Sequence, residues 1–237
     1  MNTPVYLFAE SQLHYVWSRA PVEGKTILVI LMVFSIFAWW VMAFKALQMS
    51  RAKKLNLFFD TEFRAQKNVL GIFDRRIQVE GCPMFTVYND GSLEIDARLK
   101  DPTTEGRKKY ISLKSMEHVK RTLENAVARE ALKLESGLIL LAIVVSGAPF
   151  MGLLGTVWGV MITFADVAQT RQADLVTMAP GVSTALVTTV AGLLVAIPSM
   201  FGYNWLVHNL RVRTVELDNF AQEFVSKIET EFLKEDE

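Results

Sequence analysis

The chain has 237 residues, 51% of them apolar, and its 25 acidic and 25 basic side chains leave no formal net charge. Such averages fit a single globular domain as readily as a membrane protein, but they give no basic excess for a nucleic-acid partner, and none is expected. The single cysteine, Cys82, excludes a disulfide framework.

The distribution of charge is more informative than its sum. Residues 26–44, 137–165 and 175–207, stretches of 19, 29 and 33 residues, contain no Asp, Glu, Lys, Arg or His. About 20 apolar residues cross the hydrocarbon core of a bilayer, so each stretch is long enough for a transmembrane helix. At 1.5 Å per residue the second and third would reach roughly 44 Å and 50 Å, and are expected to project beyond the bilayer as continuous helices.

In chain order, residues 1–25 form a polar segment with Glu10 and Glu23, and no A-x-A-like site follows the first apolar run. That run is therefore expected to remain as a helix rather than leave as a signal peptide. "EGKT" at Glu23–Thr26 resembles the end of a phosphate-binding loop, but the first glycine of that motif would fall at Arg19, and the reading is rejected. Trp39 and Trp40 stand near the far end of the first span, where interfacial aromatic anchors belong.

Residues 45–136 carry 18 of the 25 Lys and Arg. By the positive-inside rule this segment and the tail after residue 207 are expected in the cytoplasm, with the N-terminus outside; three spans fit that assignment. Leu47, Leu55, Phe58, Phe59 and Phe63 make a rough apolar stripe. "YNDGSLEI" carries a strong turn cue at Asn89–Gly91, and "DPTTEG" reads as a loop. Met116, Val119, Leu123 and Ala126 then recur at three and four, in a pattern expected to run on into the second span as its cytoplasmic extension.

The second span, 137–165, holds Gly152, Gly155 and Gly159, three and four apart, with Thr156 among them. A short connection, 166–174, leads to the third, 175–207. There Gly181, Ala185, Thr189, Gly192, Ala196 and Ser199 follow steps of four, four, three, four and three. Helices in lipid associate through close backbone contact and interhelical hydrogen bonds, which small residues permit. The hydroxyls of Thr156, Thr188 and Thr189 have two readings: bonded to the carbonyl four residues back, or facing a narrow polar pathway. Tyr203 and Trp205 close the third span, and the 208–237 tail continues with a stripe of Leu210, Leu217, Ala221, Phe224 and Ile228.

These elements predict an all-α membrane protein: three transmembrane helices whose cytoplasmic extensions pack into a bundle. His14, His118 and His208 lie far apart in sequence, so no metal site is expected; no catalytic constellation is legible either, and neither enzymatic chemistry nor a cofactor is expected.

"GLLGTVWGVMITF" (residues 152–164) and "APGVSTALVTTVAGLLVAIPSMFGYN" (179–204) together resemble the paired signature of the ExbB/TolQ family, relatives of flagellar stator subunits. The three-span topology is similar as well. "PMFTVYNDG" (83–91) is similar to a cytoplasmic helical element of that family, against the turn cue. The resemblance implies a homopentamer whose second and third spans line a pore. Inside it would stand the membrane helices of two copies of an ExbD/TolR-like partner, whose aspartate takes up and releases protons. Thr156 and Thr189 align with family threonines that face that aspartate, and proton flow would drive work on envelope proteins of the TonB/TolA kind. One departure stands out. Family members commonly carry a glutamate in a pattern like "AEAL", where this chain reads "STAL" with Thr184 in its place.

Overall fold

The computed structural model describes residues 22–100, 108, 110–171 and 174–233. His14, nearly all of the polar N-terminal segment, the "DPTTEG" loop and two residues of the 166–174 connection lie outside them. The described residues form six helices: α1 (Val22–Ala65), α2 (Gly71–Asp74), α3 (Pro83–Leu99), α4 (Leu113–Glu135), α5 (Leu138–Thr170) and α6 (Leu175–Phe232). The β-pairing among them is a single parallel bridge between Ile111 and Leu233. Helices α1, α5 and α6 are long and apolar enough to cross a membrane.

The chain divides into two compact units. The first holds the described residues up to Phe44 together with Gly137–Trp205; the second holds Lys45–Ser136 and the residues from Leu206 onward.

In the first unit one buried apolar cluster is formed by Ile27, Leu31, Ala148 and Ala196 with Phe34, Met151, Ala191 and Val195 packed on it, and Ala38, Leu141 and Val144 are buried as well. Large apolar side chains cover its outside: Ile36, Trp39, Trp40, Phe150, Val157, Phe164, Leu194 and Phe201 are each 60–71% exposed. In water this surface would be a severe liability; in lipid it is the solvated face.

The second unit is built the opposite way. Phe59 and Phe63 of α1, Tyr88 of α3, and Phe220 and Phe224 of α6 pack in stacked, tilted and edge-to-face pairs at centroid distances of 5.1–6.4 Å, in a core completed by Val119, Leu123, Leu217 and Ile228. The Tyr88 hydroxyl donates to the Val69 carbonyl at 2.9 Å and accepts from the Phe73 N–H at 3.1 Å, which satisfies it in an apolar place.

Three local expectations change. Helix α3 runs straight through Asn89–Gly91. Gly91 is there for contact, because a Cβ would lie 2.6 Å from Leu123 Cδ2 and 2.7 Å from Phe224 Cε1. The helix starts where its chemistry allows, with Pro83 in the first turn and Cys82 Sγ accepting from the Phe85 N–H. Helix α4 does not continue into α5: Ser136 takes an extended backbone and Gly137 a left-handed one at φ +83°, while Ser136 Oγ donates to the Lys133 carbonyl at 2.8 Å. The buried stripe of α1 beyond residue 45 is Met49, Ala52, Phe59 and Phe63 with the polar Asn56 among them, at steps of three and four. Leu47 and Phe58 are exposed instead, at 71% and 61%.

Cys82 is 1% exposed, and burial pushes its thiol pKa up. Its inertness to a polar thiol reagent would therefore report burial, whichever side of a membrane the reagent reached.

Candidate functional site

Helices α5 and α6 meet along the small residues that the sequence places on one face of each. The approach is backbone to backbone. A Cβ on Gly152 would lie 3.0 Å from the Thr188 carbonyl oxygen and 3.3 Å from Gly192 Cα; one on Gly192 would lie 2.6 Å from the Ala148 carbonyl oxygen. Gly159 faces Ala185, whose Cβ would be 2.8 Å from such an atom. Gly155 receives the Thr188 side chain and Gly181 receives that of Thr163, each with no room for a methyl group. Ala196 lies further along, in the cluster with Ile27, Leu31 and Ala148. All seven small residues named from the sequence as packing positions are thus in contact with a neighbouring helix of the same unit.

The threonines sort into two kinds. Thr184 and Thr188 are 2% and 0% exposed. Thr184 donates to the Pro180 carbonyl of its own helix at 2.9 Å, the habit expected of a helical threonine. Thr188 donates to the Ala185 carbonyl at 2.6 Å and also lies 3.3 Å from the Gly152 carbonyl across the seam. Thr156 and Thr189 are half-buried, and their hydroxyls touch each other.

Each of this pair also reaches across the seam. Thr156 Oγ1 lies 3.2 Å from the Ala185 carbonyl oxygen, and Thr189 Oγ1 lies 3.1 Å from that of Gly152; Thr156 has the Gly152 carbonyl of its own helix as an alternative at 3.3 Å. The exchange is reciprocal, because Gly152 precedes Thr156 by four residues and Ala185 precedes Thr189 by four. Glycine and alanine at those two positions leave the carbonyls open to the opposite hydroxyl.

Sequence reasoning missed Thr163. It is 6% exposed, bonds the Gly159 carbonyl at 2.8 Å and fills the space that Gly181 leaves. Its signal was present: it follows Gly159 by four residues and Thr156 by seven, on the same helical face.

Chemically, the pair offers two hydroxyls at the edge of an apolar seam with no charged side chain in the three charge-free stretches. A hydroxyl can donate one hydrogen bond and accept two, so this site can orient and solvate a proton-carrying group, but it cannot hold the charge itself. Among the described residues no cluster of His, Cys, Asp or Glu is placed to bind a metal ion.

The profile of the MotA/TolQ/ExbB proton channel family matches residues 94–219. The chain is similar to the Tol-Pal system protein TolQ of Haemophilus influenzae, at 32% identity over 214 residues that cover 88% of this chain and 90% of the relative. It is similar to the TolQ of Pseudomonas aeruginosa at 34% over 172 residues, covering 68% and 74%. To the biopolymer transport protein ExbB of Xanthomonas campestris it is 42% identical over 112 residues, covering 47% and 44%.

Proposed function

The chain belongs to the MotA/TolQ/ExbB proton channel family, and from that premise we propose that it is the pore-forming, stator-like subunit of a complex that couples proton flow across a bacterial inner membrane to work on envelope proteins. In this reading residues 26–44, 137–165 and 175–207 are the spans. The N-terminus is periplasmic, and residues 45–136 and the C-terminus are cytoplasmic, in keeping with the distribution of Lys and Arg. Five copies surround the single membrane helices of an ExbD/TolR-like partner, which supplies the ionisable carboxylate that the spans of this chain lack.

The observation that carries the proposal is the Thr156–Thr189 pair. Two half-buried hydroxyls stand together within the charge-free stretches of α5 and α6, at the edge of the seam, where a polar group of another chain can come against them. They would donate to the partner's carboxylate and offset the desolvation that otherwise holds it neutral. Thr184 and Thr188, named with them in the sequence, are fully buried and donate to carbonyls of their own helix, and serve the pathway only indirectly. The glycines let the helix pairs crowd about an axis.

A second reading has one observation in its favour: every one of these hydroxyls also finds an acceptor within the chain. On that reading the complex is a non-conducting scaffold that positions partner helices.

Reconstitution separates the two. Vesicles with an imposed proton gradient and an internal pH dye should show flux when this chain is inserted together with its co-purified single-span partner, and none with the chain alone. A purified complex that holds the partner yet passes no protons under any gradient supports the scaffold.

A further inference from the structure

Lys45 stands in a core register of α1. The buried positions there run Val41, Lys45, Met49 and Ala52, at steps of four, four and three, and Lys45 is 5% exposed. A lysine just past a span-length apolar stretch ordinarily carries its ammonium out to headgroups and water. This one donates inward, to Gln48 Oε1 at 2.8 Å and to the Leu134 carbonyl oxygen at 3.2 Å.

The Leu134 carbonyl needs that donor because of how α4 ends. In a helix carried on past Glu135 it would accept from the Leu138 N–H. The extended backbone of Ser136 and the left-handed Gly137 take Leu138 out of that place, and among the described residues no main-chain N–H bonds the Leu134 carbonyl. Its neighbours are served locally: the Leu132 carbonyl by the Ser136 N–H at 2.9 Å, the Lys133 carbonyl by Ser136 Oγ at 2.8 Å. Lys45 reaches across 89 positions of the chain to serve the third, and its charge suits the negative end of the helix dipole.

Two forms of this joint are open to the chain, because no proline lies between Leu113 and Ala148 to forbid a continuous helix. In the continuous form the Leu138 N–H satisfies the Leu134 carbonyl and no lysine is needed. In the broken form that carbonyl is buried and depends on another donor, so removal of the ammonium penalises the broken form alone.

We propose that Lys45 is a clasp that keeps the α4–α5 joint broken by capping the Leu134 carbonyl from α1. Lys45 follows the first charge-free stretch directly, and Ser136 directly precedes the second. The point at which α4 stops is therefore set by α1 as well as by its own residues. This does not depend on the conducting reading.

The test is hydrogen–deuterium exchange, resolved to single amides, on the full chain in lipid nanodiscs. Lys45→Met removes the donors and keeps an apolar stem, in a register shared with Met49, where loss of a buried charge to an apolar side chain is commonly tolerated. The Leu138 amide should exchange more slowly by about tenfold or more as it takes the Leu134 carbonyl, with the last turn of α4 still protected. An unchanged Leu138 rate overturns the proposal. So does faster exchange through Leu134–Ser136 with no slowing at Leu138, because the carbonyl then turns to water and the break stands without its clasp. Gly137→Ala weakens the broken form independently, by opposing the left-handed backbone. It should slow Leu138 less with Lys45 present than with Met in its place; equal slowing in the two backgrounds would mean that Lys45 has no part in the joint.

Discussion

Gly192→Leu will leave the chain unable to form the oligomer proposed above, while Leu31→Val, a trimmed contact in the apolar cluster of the same unit, will not. The seam of α5 and α6 closes at Gly192 on the Ala148 carbonyl oxygen and on Gly152, where even a methyl group would come within 2.6 Å of backbone. Backbone cannot rotate away as a side chain can, so the helices must separate by several tenths of an ångström for Ala and by much more for Leu. Overpacking of this kind costs typically 1–3 kcal/mol for an added methylene or two. Helix association in lipid has no hydrophobic term to offset that cost. Gly155→Leu should behave likewise, since the Thr188 side chain already fills that space. Native mass spectrometry reads the outcome: intact oligomers in both glycine variants would remove close packing as the reason for the small residues.

The second large effect is on conduction. Thr156→Val and Thr189→Val each keep the shape of the seam and remove one of the two hydroxyls that touch. A hydrogen bond to a charged group is worth roughly 1.5–3 kcal/mol, which is on the order of a ten- to hundredfold change in the population of an ionised carboxylate. The carboxylate of the partner would have its pKa raised, hold its proton longer and carry fewer protons per second. Flux in reconstituted vesicles should fall at least about tenfold in either variant and to background in the double variant, with assembly unchanged. Thr156→Ser should keep much of it. Variants that conduct like the parent would mean that the hydroxyls only serve the carbonyls of Gly152 and Ala185.

The membrane part of the fold was legible because its determinants are local. Absence of charge over 19, 29 and 33 residues marks the three long apolar helices, and small residues at steps of three and four mark the face along which two of them meet. The pairing of Thr156 with Thr189 was implied only by family resemblance, since nothing in either helix alone says that the two hydroxyls stand at the same level. The same limit left Thr188, named among the candidates, without a distinct place. Its neighbour Thr189 differs from it by one residue and about 100° around the helix, so which of the two enters the seam depends on the register of α6 against α5.

In the second unit the turn cue at Asn89–Gly91 failed because a tertiary contact outweighed it: Gly91 admits Leu123 and Phe224, and Asp90 pairs with Arg129 at 2.5 Å. The break at Ser136 and Gly137 was missed for the opposite reason. A periodic pattern on its N-terminal side gave no notice of a glycine that takes a left-handed backbone. Leu47 and Phe58 misled as well, since an apolar side chain on a helix need not face the core.

The central claim is that Thr156 and Thr189 are the contact between this chain and a proton-carrying group supplied by another. The most direct measurement is a structure of the purified complex with its single-span partner in lipid, at a resolution that places side chains. It should show a partner carboxyl in the membrane within hydrogen-bonding distance of Thr156 Oγ1 or Thr189 Oγ1 in at least one copy. Partner helices bound elsewhere, with these hydroxyls in every copy turned only to the Gly152 and Ala185 carbonyls, would contradict it.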